Sequence, residues 1–176
     1  IKTNYPHPES IEGRKPTTLN FELINAMKIR LSLTNKKGQS VGLTEFETWG
    51  PLNGQYIPAS PPSGNIAINT SPAKNKFPKA ASSFHDRYGG VPSSVNDGKI
   101  IYRATPTNRW TSYGSPNTTS DWLEIDFGKE KEFCRAVLHI YDDRGGVQAP
   151  KKYTLYYWDQ GNWKEIPNQK KTPSKP

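Results

Sequence analysis

Three short stretches mix aromatic, charged and amide side chains among small residues: FHDRYGG (84–90), RWTSYGSPN (109–117) and YDDRGGVQ (141–148). That mixture suits a ligand offering C–H faces and hydroxyl groups, as carbohydrates do, because faces stack on rings while hydroxyls need bidentate polar partners. A plainer reading stands beside it: Arg144 next to Asp142 and Asp143 is also the composition of a surface ion pair. Residues for catalysis are sparse. His7, His85 and His139 are scattered, and neither a nucleophile elbow nor a zinc-ligand spacing occurs. Asp142 and Asp143 are adjacent, so their side chains diverge, unlike the opposed carboxyl pair of a glycosidase. The residues therefore point to a binding protein and not to an enzyme.

Two further features carry chemistry. The turn Asn96-Asp97-Gly98 reads by itself as an ordinary reversal, since these residues tolerate turn angles. In VGLTEFETWG (41–50), Val41, Leu43, Glu45, Glu47 and Trp49 share one parity, which sets Glu45 in register with core-type residues.

The elements that must position these loops are strands. The chain has 176 residues, enough for one well-buried core, and nine Tyr, six Phe and five Trp supply its bulk. Sixteen Pro and fourteen Gly break it into short segments, as in an all-β sandwich or barrel. MKIRLSLT alternates with Ile29, Leu31 and Leu33 on one face, and the stretch 41–50 is expected to pair with it across the NKKGQS turn. NIAINT (65–70) reads as a strand. DWLEIDFG alternates Leu123, Ile125 and Phe127 against Trp122, Glu124 and Asp126, and FCRAVLHIY sets Cys134, Ala136, Leu138 and Ile140 in one stripe. KYTLYYWDQGNWKEI reads as a hairpin turning at DQGN. Residues 1–18 and 168–176 are polar, Pro-punctuated tails, and 50–63 reads as a linker.

The formal charge is +8, but most of the excess lies in residues 1–37 and 164–176, which describes solvated ends better than a nucleic-acid groove. No apolar run approaches a membrane span. Cys134 is the only cysteine, so no internal disulfide can form. The opening on Ile1 suggests a mature piece or fragment of a longer protein.

The order of ASSFHDRYGGVPSSVNDGK, NRWTSYGSP and DWLEIDFGKEKEFCRAVLHIYDDRGGVQAPKKYTLYYWDQGNWKEI resembles the coagulation factor 5/8 type C, or discoidin, domains. Within them it looks most like family 32 carbohydrate-binding modules attached to glycoside hydrolases. The match covers roughly 64–167, while residues 19–49 look like that family's last two strands placed first. The resemblance implies a jelly-roll β-sandwich of the galactose-binding-domain-like kind, as one module over 1–176 in circularly permuted order. The other arrangement that fits is a chain straddling two tandem modules.

It also implies sites. At positions matching the family's structural Ca²⁺ site, Asp97 and Glu45 supply carboxylates, Thr44, Ser94 and Lys99 supply carbonyls, and Asn108 stands where the family has a threonine. Loops at one end of the sandwich would hold a glycan, for example a galactose-containing one, with Tyr113 as aromatic platform, Arg144, Asp142 and Asp143 as hydroxyl partners, and His85, Arg87 and Tyr88 beside them. The implied protein is a noncatalytic, secreted or cell-surface module that targets a covalently linked hydrolase. Two alternatives share the fold: an adhesion domain for protein or anionic phospholipid, and an accessory domain without a ligand.

Overall fold

The computed structural model describes residues 11–51, 64–71, 76–117 and 119–173. Most of the expected linker, His7 and the outermost parts of both tails lie outside these residues.

Nine strands follow in chain order: β1 (Pro16–Thr34), β2 (Gly42–Gly50), β3 (Gly64–Asn65), β4 (Lys79–Ser82), β5 (Trp110–Thr111), β6 (Ser120–Ile140), β7 (Lys152–Asp159), β8 (Asn162–Glu165) and β9 (Lys170–Thr172). The only helical element among the described residues is a 3-10 turn, Pro92–Val95. The all-β sandwich expected from composition is what forms, and every ladder between named strands is antiparallel.

Strands β1 and β6 run through both layers. The first part of β6 pairs with Lys28–Thr34 of β1 and with β4, while its second part pairs with Pro16–Ala26 of β1 and with β2. Between Asp126 and Lys131 the ladder is broken, and four residues of β6 stand opposite Met27 alone. Gly128, at φ +75°, makes that bend, and the Phe77 ring packs so closely on it that no Cβ would fit. Alternation does the rest. Ile29, Leu31, Leu33, Leu123, Ile125 and Leu155 from one layer meet Leu19, Leu43, Phe46, Phe133, Leu138 and Ile140 from the other, all fully buried. Each such side chain contributes about 1.5–3 kcal/mol on burial.

Several expectations change. Strand β2 does not pair with β1: β6 lies between them, and β2 bonds instead to β6, β3 and β5. NIAINT is not a strand but a two-residue bridge, Gly64–Asn65, followed by a turn. The C-terminal tail contains β9, which extends β1 beyond its bend, and Pro16–Thr18 already belong to β1. Cys134 leaves the core stripe because a second register break, between the Asn20–Arg135 and Ile24–Phe133 pairs, lets Phe133 take the buried position. The hairpin β7–β8 forms as expected, with Gln160 and Gly161 both at positive φ, the geometry of a tight two-residue turn.

The outer face of β1, β6 and β8 is built around one guanidinium. Arg30 lies between the rings of Trp122 (4.1 Å) and Trp163 (4.0 Å), and its Nη2 donates to Glu124 Oε2 at 2.6 Å. Trp163 in turn meets Trp158 edge to face at 5.1 Å. Planar stacking and a charge-assisted bond both require the guanidinium. Arg30→Ala is therefore expected to cost about 2 kcal/mol, and Arg30→Lys about 1 kcal/mol, in equilibrium guanidinium denaturation followed by tryptophan fluorescence. Equal stability of all three proteins would remove the stack from the account.

Candidate functional site

Loop residues need their own anchors, and in this chain short acidic side chains provide them. Asp86 Oδ1 accepts from the backbone N–H groups of Tyr88 (2.6 Å) and Gly90 (3.3 Å), and its other oxygen accepts from the Thr111 hydroxyl. Asp143 Oδ1 repeats the pattern with Gly145 (2.7 Å) and Val147 (3.0 Å), and Asp142 Oδ1 accepts from the Arg144 N–H at 2.6 Å. Buried Asp121 accepts from Ser83, Ser115 and Asn117, which ties the loop 109–117 to the start of β6.

So fixed, the three loops converge. Tyr88 and Tyr113 meet edge to face at 5.9 Å, with both rings substantially exposed. On one side of this pair a cavity of about 150 Å³ is lined by Asp86, Arg109, Thr111, Tyr141, Asp143 and Val147. On the other, a cavity of about 420 Å³ is lined by Phe84, His85, Arg87 and Gly114. Of the residues the sequence pointed to, Tyr88, Tyr113 and Asp143 share one pocket, while His85 and Arg87 join the two rings in the other. Asp142 lies beside them at the base of its loop. The Arg144 side chain makes no ion pair with either aspartate among the described residues; the link is through its backbone N–H.

Asp86, Arg109 and Tyr141 lie in the stretches the sequence pointed to, but were given no part in the site. Arg109 lies over the Tyr141 ring at 4.7 Å, donates to the Ala104 carbonyl at 3.1 Å, and keeps a buried Nε without a partner. The repeated spacing of an aspartate with backbone N–H partners two and four residues on is the signal that marks Asp86 and Asp143 as loop anchors. Nothing local marks Arg109.

A second cluster forms around the carboxylates of β2. A bulge leaves Thr44 opposite no residue of β6, so parity changes there: Leu43 and Phe46 point inward, and Glu45 and Glu47 point outward. That answers the register anomaly of 41–50. The loop 96–108 then covers this outer face. Gly98 N–H donates to Glu45 Oε1 (3.2 Å), Asn108 Nδ2 to Asp97 Oδ1 (3.3 Å), and the Thr44 hydroxyl accepts from Ile101 N–H (2.8 Å) and donates to the Asn108 carbonyl (3.0 Å). Asn108 also donates to the Lys99 carbonyl at 3.2 Å. Glu45, Asp97, Thr44, Lys99 and Asn108 are thus brought together, whereas Ser94 lines the adjoining cleft with Asp97 and Lys99. Glu45 is 1% exposed, and its Oε2 is buried without a hydrogen-bond partner. Burial pushes its pKa up to about 8; the Gly98 bond opposes this, and the Asp97 and Glu47 charges add to it. An orphaned carboxylate oxygen, a second carboxylate and two carbonyls are the donor types of a hard cation, so these residues fit the expected metal.

Beside it, His139 bridges Tyr102 (2.9 Å) and Glu47 (3.2 Å) across strands, and Trp49 also donates to Glu47 at 2.7 Å. Burial pushes Glu47 up, but these bonds outweigh it and hold the group below the ordinary carboxylate value.

The segment before β1 also reaches the loops. Ile11 is buried in the core, Gly13 packs on Asp142 with no room for a Cβ, and Arg14 donates through N–H to the Ile140 carbonyl (2.8 Å) and through Nε to the Asp142 carbonyl (3.0 Å).

A family model, the F5/8 type C domain, matches residues 78–176, more than half of the chain, beginning just before β4.

Two outcomes follow. Removing the Arg14 side chain by Arg14→Ala is expected to speed amide exchange at Asp142 and Asp143 about fivefold, the loss of one hydrogen bond, while exchange in β7 stays unchanged. Unchanged rates at both amides would show that the segment does not hold the loop. For Glu45 the folded value, about 8, lies above the ordinary 4.5, so the folded protein binds the extra proton between them. With chelator present, stability is therefore expected to fall as pH rises from 5 to 8, and in Glu45→Gln that fall is expected to disappear. Parallel denaturation curves for the two proteins across this range would refute the assignment.

Proposed function

Because the chain belongs to the F5/8 type C, or discoidin, domain family, we propose that it is a carbohydrate-binding module that recognises a glycan through the loops 84–90, 109–117 and 141–148. Domains of this family are ligand-binding modules of extracellular or secreted proteins and are generally noncatalytic. The observation that carries the glycan reading is the exposed Tyr88–Tyr113 pair standing between two cavities lined by Asp143, Arg109, His85 and Arg87. Rings offer stacking surface, and guanidinium and carboxylate groups offer the bidentate partners that hydroxyls need. Binding occurs by docking into preformed loops and involves no bond making. On this reading the module is secreted or surface-exposed and keeps a covalently linked hydrolase near its polymer.

We take the chain as one module in permuted order. Support comes from residues 42–50, which pair with Arg135–Ile140 inside the same sandwich. The cation expected at Glu45 and Asp97 is Ca²⁺, with carbonyls of the neighbouring residues completing its oxygen shell. Bound there it would supply the positive charge that Glu45 lacks and fix the loop 96–108 to β2.

A glycan array probed with and without chelator tests the function. Binding to one glycan class is expected, with Tyr113→Ala weakening it about tenfold or more. Silence on all glycans, or binding to anionic vesicles in their place, would overturn the reading. For the cation, millimolar Ca²⁺ is expected to raise the melting temperature of the parent protein and to leave Glu45→Gln unmoved. Equal shifts in both would exclude Glu45 as a ligand.

A further inference from the structure

At the opposite end of the sandwich from the tyrosine loops, the bend of β6 leaves a cavity of about 390 Å³ lined by Ile66, Phe77, Pro78, Phe127, Gly128, Lys129 and Lys131. Among its described lining residues four are apolar side chains, two are lysines and none is acidic. The bend produces this asymmetry. Lys129 and Lys131 line the cavity, while Glu130 between them accepts from Asn25 Nδ2 at 3.2 Å on β1. Asp126, at the start of the bend, is held by Lys28 at 3.0 Å. Lys79, which lines the neighbouring cleft, has its Nζ 4.5 Å from the centre of the Phe77 ring, and that ring also packs on Gly128. Phe77 is 48% exposed, a high value for a large aromatic residue. Lys76, also exposed, precedes it.

We propose that this cavity is a second binding site, and that its occupant is an acidic sugar unit of a polysaccharide. The carboxylate or sulfate would pair with the ammonium groups of Lys129 and Lys131, and the ring body would lie against Phe77, Pro78 and Ile66. Charge complementarity selects the anion, since a cavity with two ammonium groups and no acid among its described lining residues gains most from a negative occupant. The modest volume and short apolar wall suit one ring. The site depends on the carbohydrate-binding reading only for the choice of a sugar polymer, and it is separate from the tyrosine loops.

Affinity electrophoresis of the full chain in gels containing alginate, chondroitin sulfate or a neutral β-glucan tests it. The double variant Lys129→Glu/Lys131→Glu is compared with Lys36→Glu/Lys37→Glu, which changes net charge equally in the turn after β1. Retardation by at least one acidic polymer is expected, weakened about tenfold in the first variant and less than about threefold in the second. Phe77→Ala is expected to weaken it as well, without altering the melting temperature by more than a few degrees. No retardation by either acidic polymer, or equal weakening by the two double variants, overturns the site. Binding to phosphatidylserine vesicles that is lost in the first variant, with no acidic polymer bound, overturns the sugar as its occupant. A silent neutral-glycan array beside retained alginate binding would remove the loop reading and leave this one standing.

Discussion

One strand has to serve two layers, and the rest of the molecule is arranged around that requirement. β6 lies between β1 and β4 in one layer and between β1 and β2 in the other. A regular strand cannot do this without a break in its ladder, because hydrogen bonding to a flat neighbour holds it straight. The break falls at Phe127–Glu130, where Gly128 takes a positive φ and Phe127 closes the corner against Phe133, with ring centres 5.6 Å apart. The bend returns the chain toward the end from which β6 started. The loop before Ser120 and the loop after Ile140 then meet, and the pocket joining Thr111 and Tyr113 to Tyr141 and Asp143 is the consequence.

The two ends of the sandwich differ in how their charges are satisfied. At the loop end, aspartates spend their oxygens on backbone N–H groups two to four residues away. These bonds order the loops and leave rings and guanidinium groups facing outward. At the bend end Glu130 and Asp126 are paired away from the cavity, with Asn25 and with Lys28, and its described lining carries two lysines. In a chain of net charge +8 whose excess was assigned to the tails, this local surplus is invisible to a count by segment. It arises from which side of a broken ladder each residue occupies.

What the sequence made legible follows the same division between local and non-local causes. Alternation in Ile29, Leu31 and Leu33, and the DQGN turn, are decided by neighbours in the chain, and both form as read. The partner of β2 was misread because proximity favours a hairpin with β1, whereas β6, some ninety residues on, offers a longer apolar register. NIAINT has strand composition, but Asn65 turns its side chain back to accept from the Thr48 and Ala67 N–H groups, which ends the strand after two residues. At the loop end the sequence picked out the rings by type. Arg109 was given no part because only the fold lays it over Tyr141, thirty-two residues away.

Glu45 and Glu47 show how far position alone explains a buried carboxyl. They lie two residues apart, on the same face of the same strand, under the same covering loop. Glu47 receives donors at both oxygens, from His139 and Trp49, and is held below the ordinary carboxylate value. Glu45 receives one backbone N–H, keeps an unpartnered oxygen and is pushed up to about 8. Leaving a buried acceptor unsatisfied costs on the order of 1–3 kcal/mol, and only the other oxygen, which accepts from Gly98, is used by the fold. The bulge at Thr44 and the closure of the loop 96–108 over this face are what bury that oxygen. Asp97, by contrast, is fully engaged, with Lys99 Nζ at 3.5 Å from one oxygen and the Lys99 N–H and Asn108 Nδ2 donating to the other, so the unpartnered oxygen of Glu45 is the one group of this cluster that a proposed cation would newly satisfy.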